Sequence, residues 1–155
     1  ITGIDCMEQL CRAAQERQYK VFLYGAKPEI VRGARTELER RHPGIRIVGI
    51  MDGYVRDEHD VIKAINDTEA DIVFVALGSP KQEYWIARNR AKTGACIFQG
   101  VGGSFDVLSG TLKRAPALFQ KLGLEWFYRL LQQPGRIVRQ FRLLGFVWLI
   151  LWGKA

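Results

Sequence analysis

Cysteine is too scarce here for a disulfide framework: Cys6, Cys11 and Cys96 are odd in number and lack the spacing of metal ligands. Reduced thiols, and hence a cytoplasmic location, are the expectation. No Asp-x-Asp occurs, nor any cluster of His, Cys and Asp at metal spacing, so no carboxylate-held Mg²⁺ or Mn²⁺ and no cofactor are expected. A Walker loop and a Ser or Cys nucleophile motif are also missing, which argues against a P-loop NTPase and against covalent hydrolysis. No apolar run reaches the roughly 20 residues of a membrane-crossing helix. Finally, acidic residues almost vanish after residue 110, where Glu125 alone faces Lys113, Arg114, Lys121, Arg129, Arg136, Arg139, Arg142 and Lys154. That stretch holds the whole net charge of +7, and the rest of the chain is balanced. A neutral body with a basic tail is a form suited to an anionic partner: phospholipid, pyrophosphate or nucleic acid.

What is present is a repeating α/β rhythm. Met7, Leu10, Cys11 and Ala14 recur at helical spacing over residues 5–17, with Asp5 as the expected cap. Val21, Phe22, Leu23 and Tyr24 form an unbroken apolar run ending at Gly25, the pattern of a strand covered on both faces. Pro28 suits the first turn of a helix whose stripe is Ile30, Ala34 and Leu38, stopped by His42-Pro43-Gly44. Strands are then expected at 46–50, 72–76 and 95–99, with helices at 58–67 and 81–92. Strands separated by single helices run parallel with right-handed crossovers, so the fold class is α/β: a Rossmann-like open parallel sheet with flanking helices. Residues 1–112 form the expected α/β domain, and 113–155 a helical, basic appendage. Its apolar end, 143–152, follows Arg136, Arg139 and Arg142 and contains Trp148 and Trp152, a pattern for lying on a membrane; packing on the body or on a second subunit is equally consistent.

Ligands of such sheets bind beyond the carboxyl ends of the strands, where glycine lets backbone approach phosphate. The segments there are Gly25-Ala26-Lys27, Met51-Asp52-Gly53-Tyr54, Gly78-Ser79-Pro80-Lys81-Gln82-Glu83 and Gly100-Val101-Gly102-Gly103-Ser104-Phe105-Asp106. Gly100-x-Gly102-Gly103 is not a dinucleotide fingerprint, and a tight turn explains it as well as phosphate contact does. Asp106 suits a ribose or uracil edge, or a helix cap. Ser79 to Gln82 reads as a capping box, with Ser79 as N-cap and Gln82 at N3, and Glu83 suits the helix dipole. Lys113, Arg114 and Arg129 suit a pyrophosphate, or a solvated surface, and the scarcity of acidic partners there favours the former. His42 and His59 read as solvated.

The runs Ala76-Leu77-Gly78-Ser79-Pro80-Lys81-Gln82-Glu83, Gly100 to Asp106 and Lys113-Arg114-Ala115-Pro116, followed by Leu124 to Leu130 and Pro134, resemble the WecG/TagA/CpsF family of bacterial glycosyltransferases. Thr2-Gly3-Ile4-Asp5, Pro43-Gly44 and Gly53-Tyr54 fall in the family's order, so the resemblance spans essentially the whole chain. It implies inverting, metal-independent transfer of N-acetylmannosamine, or its uronic acid, from UDP to undecaprenyl-diphosphate-linked N-acetylglucosamine, for teichoic acid or other surface polysaccharide. It implies a donor pocket drawn from Gly25, Tyr54, Gly78, Gln82, Glu83, Gly102, Gly103, Asp106, Lys113 and Arg114. Gln82, Arg129, Arg136 and Arg139 would assist at the diphosphates, with the tail docked peripherally on the inner face of the membrane. The family's general base is an Asp in an N-terminal Asp-Gly element that this chain lacks, so the alternative expectation is a catalytically incomplete nucleotide-binding, membrane-associating module. Nucleic acid is not an expected partner, because a long apolar run serves a membrane better than base stacking. Self-association through the apolar tail stays open.

Overall fold

The computed structural model describes residues 3–112. In chain order the elements are α1 (Gly3–Arg17), β1 (Lys20–Gly25), α2 (Pro28–Arg41), β2 (Arg46–Met51), α3 (Glu58–Asp67), β3 (Ile72–Ala76), α4 (Lys81–Asn89), a 3₁₀ turn (Arg90–Lys92), β4 (Ile97–Gly100) and α5 (Ser104–Leu108). The four strands form one sheet in the order β2-β1-β3-β4, and every neighbouring pair is parallel. This is the Rossmann-like α/β arrangement that the alternating pattern implies.

The period-2 geometry of the central strands sorts their side chains into two cores. Val21 and Leu23 of β1 and Ile72 and Phe74 of β3 face a layer built by Met7, Cys11 and Ala14 of α1, Ile30, Ala34 and Leu38 of α2, and Phe105 and Leu108 of α5. The alternate residues, Phe22, Tyr24, Val73 and Val75, face Val61 and Ile65 of α3 and Trp85 of α4. Burial on both faces is why β1 and β3 read as unbroken apolar runs.

Several boundaries differ from the sequence pattern. Asp5 lies in the first turn of α1 and does not precede it. The fourth helix ends at Asn89 and tightens into the 3₁₀ turn, where the fully buried Asn89 side chain donates to Glu58 Oε2 at 3.0 Å and receives Lys92 Nζ at 2.9 Å. The edge strand β4 begins two residues later than its apolar pattern, with Cys96 and Ile97 exposed. The short helix α5 is an element the pattern did not mark. His42 is not solvated: it is buried at the end of α2, with Nε2 at 2.9 Å from Glu8 Oε2, while His59 is exposed as expected. The helix stop itself stands as read, with Gly44 at φ +88°.

Candidate functional site at the carboxyl rim of the sheet

Because all four strands are parallel, their carboxyl ends share one rim. The chain runs outward from β1 to β2 on one side and to β3 and β4 on the other, so the switch point lies between β1 and β3. The turns along this rim are tied in series. Ala26 N donates to Ala76 O at 2.9 Å, Gly53 N to Ala26 O at 2.8 Å, and Val101 N to Val75 O at 2.8 Å. Ala26 holds φ +60° to use both its amide and its carbonyl in this ladder, a conformation that L-residues adopt at some cost.

The glycines of the rim do different work. Gly25 is buried with φ +114°, and a Cβ on it would lie 2.5 Å from the Ala76 carbonyl carbon. Its absent side chain lets β1 and β3 close on one another at the switch point. A Cβ on Gly100 would lie 2.6 Å from Gln82 Nε2, so that glycine makes room for the Gln82 amide. Gly78 and Gly102 take the positive φ values, +77° and +49°, that turn the chain out of β3 and β4.

Gln82 is the polar centre of the β3–β4 side. The capping box expected of Ser79 to Gln82 does not form: Pro80 occupies the cap position, no side chain caps the helix, and Gln82 points elsewhere. Its side chain is 6% exposed; Oε1 accepts Gly102 N at 2.9 Å, and Nε2 donates to Glu83 Oε1 at 3.0 Å. The long-range partner wins because an isolated buried amide would lose its hydration without compensation. Two amides of the glycine turn are thereby already used, Gly102 by Gln82 and Ser104 by Val101 O. Glu83 is exposed, Gly103 is buried before α5, and Asp106 sits half-buried in the first turn of that helix. The Asp106 carbonyl accepts Leu112 N at 2.9 Å, which holds the end of the described chain beside the rim.

On the β1–β2 side, Tyr54 is 67% exposed and follows Asp52, whose Oδ1 accepts the Tyr54 amide at 2.8 Å. Behind them Tyr24 stacks obliquely on Trp85 at 4.9 Å, and burial, reinforced by Glu58 and Asp52, raises its hydroxyl pKa. The structure thus brings Gly25, Tyr54, Gly78, Gln82, Glu83, Gly102, Gly103 and Asp106 to one rim. Lys113, Arg114, Arg129, Arg136, Arg139 and the whole tail lie outside the described residues. Among the described residues, no three His, Cys, Asp or Glu converge as a metal site would require, and no helix is long and apolar enough to cross a membrane. Asp52, which falls in the expected rim segment without being singled out by the sequence, directly follows β2 beside the first strand.

The family model described as glycosyl transferase WecG/TagA/CpsF matches residues 1–155. The chain belongs to this glycosyltransferase family. It is 42% identical over 143 residues to the N-acetylglucosaminyldiphosphoundecaprenol N-acetyl-beta-D-mannosaminyltransferase of Bacillus subtilis (strain 168), covering 92% of this chain and 56% of that protein. It is 40% identical over 151 residues to the protein of the same name from Bacillus spizizenii (strain ATCC 23059 / NRRL B-14472 / W23), covering 97% of this chain and 59% of the relative. The chain therefore spans little more than half the length of these WecG/TagA/CpsF relatives.

Proposed function

We propose that this chain is the donor-binding α/β body of an inverting, metal-independent glycosyltransferase. In this reading it transfers N-acetylmannosamine, or its uronic acid, from UDP to N-acetylglucosamine on undecaprenyl diphosphate. The product feeds teichoic acid or another surface polysaccharide. One observation carries the reading: identity of about two residues in five, across nearly the whole chain, to two enzymes whose names specify that mannosaminyl transfer. The rim supports it, since a parallel sheet offers its ligands the carboxyl ends of its strands at the switch point.

The roles follow from chemistry. A sugar leaving with inversion requires a base at the acceptor hydroxyl and positive charge or hydrogen-bond donors at the departing diphosphate. Gln82, Glu83, Gly78, Gly102, Gly103 and Asp106 line the sugar end of the donor. Lys113 and Arg114, next in sequence after Leu112, and Arg129, Arg136 and Arg139 neutralise the diphosphates, because guanidinium groups bind phosphate in two-pronged fashion. The basic, apolar tail holds the enzyme on the inner face of the membrane, where its acceptor is anchored.

The test is transfer itself. The full-length enzyme containing this chain, given UDP-N-acetylmannosamine and a short-prenyl analogue of the acceptor, is expected to yield the prenyl-diphosphate disaccharide by mass spectrometry. A preparation that binds UDP yet makes no such product would refute the activity.

A further inference from the structure

The two edges of the sheet are built differently. Along β2 an extra residue, Val48, interrupts the pairing with β1, since Val21 is in register with Ile47 but Phe22 with Gly49. Such a bulge twists an edge strand away from further pairing. β4 has no interruption: Ile72 to Val75 pair in order with Ile97 to Gly100. Ile97 N and Val101 N donate inward, to Asp71 O and Val75 O, so by alternation the amides of Phe98 and Gly100 point out along the open edge. Ile97, paired with Ile72 on the α1 face, is left 38% exposed.

Polar groups at this edge are unfinished as well. Among the described residues, the buried side-chain atoms without a hydrogen-bond partner are Gln99 Oε1, on β4, and Trp85 Nε1, whose ring packs against Phe98 of β4 at 6.4 Å. Buried polar atoms are nearly always paired, so an orphaned acceptor on an open strand marks a place where a donor belongs.

The direction of the chain says where that donor comes from. α1 and α2 cover one face of the sheet, α3 and α4 the other. α2 carries the chain from β1 outward to β2, whereas α3 and α4 carry it the opposite way, across to β3 and on to β4, so these three crossovers share one hand. α1 delivers the chain to β1 on the same face as α2. A preceding strand that keeps this hand must lie on the β3–β4 side of β1, and the open place there is outside β4. The start of α1 is at that place, for Gln99 Nε2 donates to Gly3 O at 2.9 Å.

We propose that the outer edge of β4 seats a further parallel strand, supplied by the polypeptide that precedes α1 in the full-length enzyme. Relatives of which this chain covers 56% and 59% are long enough to hold it. The entering strand pairs with the Phe98 and Gly100 amides, covers Ile97 and offers N–H groups to Gln99 Oε1. Its carboxyl end reaches the rim beside Gly100 and Gly102, so residues leaving it complete the candidate site next to Gln82.

Hydrogen exchange of the full-length enzyme, read residue by residue in a mass spectrometer, tests the pairing. The Phe98 and Gly100 amides are expected to exchange at least about 100-fold more slowly than in an unstructured peptide, as paired strand amides do. Exchange at the unstructured rate would overturn the proposal. Photo-cross-linking from Ile97→p-benzoylphenylalanine identifies the occupant, and the expected product is a link within one molecule to a peptide preceding α1. A link to residues 113–155, a covalent dimer of two copies, or no product at all would count against the strand and overturn it. Should this variant not fold, exchange of the wild type decides. Protection that persists on about tenfold dilution supports the strand, and protection lost on dilution, the mark of a second copy, overturns it.

Discussion

The side-chain oxygen of Gln82, at the start of α4, accepts the backbone amide of Gly102 at 2.9 Å, so one buried amide group joins the turn after β3 to the turn after β4. The glycine turn owes its shape to this contact, and the contact owes its room to Gly100.

Truncating Gln82 to Ala leaves the Gly102 amide without its partner. A loss of roughly 1–3 kcal/mol in stability is expected, the cost of a buried unsatisfied group. Denaturant unfolding measures it, and calorimetry with UDP is expected to show about a tenfold weaker complex, since each 1.4 kcal/mol is one decade.

Adding one methyl at Gly100 should act through Gln82. The new Cβ would meet Gln82 Nε2 at 2.6 Å and displace a flexible side chain, so Gly100→Ala is expected to reproduce the binding defect of Gln82→Ala. The same change at Gly25 meets backbone at 2.5 Å in a conformation unfavourable to L-residues. Gly25→Ala is therefore expected to cost more than about 3 kcal/mol, or to prevent soluble expression, because neither strand end can yield. Unfolding midpoints of the two variants distinguish these outcomes.

Thiol chemistry gives a prediction with a pH sign. Burial, with Glu8 nearby, pushes the Cys11 thiol up to about 12, and its side chain is fully buried. Alkylation at pH 8 should modify exposed Cys96 rapidly and Cys11 only after unfolding, as mass spectrometry of timed digests would reveal. A raised pKa in the folded state means that this group favours folding fully below the ordinary value of 9.0 and that its contribution is lost as the pH climbs toward 12.

At the acidic end, hydrogen bonds from Arg40 and Arg41 hold the Glu37 carboxyl down at about 2. The sign is opposite: its contribution is present above 4.5 and lost as the pH falls toward 2. Glu37→Gln is expected to melt slightly lower than wild type at pH 7 and identically at pH 2, the modest effect reflecting an exposed pair.

The central strands were legible because Val21–Tyr24 and Ile72–Ala76 are apolar throughout, which only a doubly covered strand requires. The carboxyl rim was legible as a place in the fold too, since a glycine ends each strand or follows it within two residues. Edge strand β4 was misjudged at its start because Cys96 and Ile97 are apolar yet exposed. α5 was invisible because five residues carry little more than one helical period. Gln82 and His42 were misread for a shared reason: local pattern suggested a cap and a solvated helix stop, whereas their partners, Gly102 and Glu8, lie 20 and 34 residues away. Asp52 lies in a segment the pattern places at a strand end, but only the strand order sets that segment beside β1.

Amide chemical shifts of the ¹⁵N-labelled chain during titration with UDP address the donor-binding rim most directly. The largest changes are expected at Gly53, Tyr54, Gly102, Gly103 and Ser104, along the carboxyl ends of the strands. Changes concentrated instead at Gly44, Ala70, Asp71 and Gly94, near the amino ends, or no changes at millimolar UDP, would contradict the account.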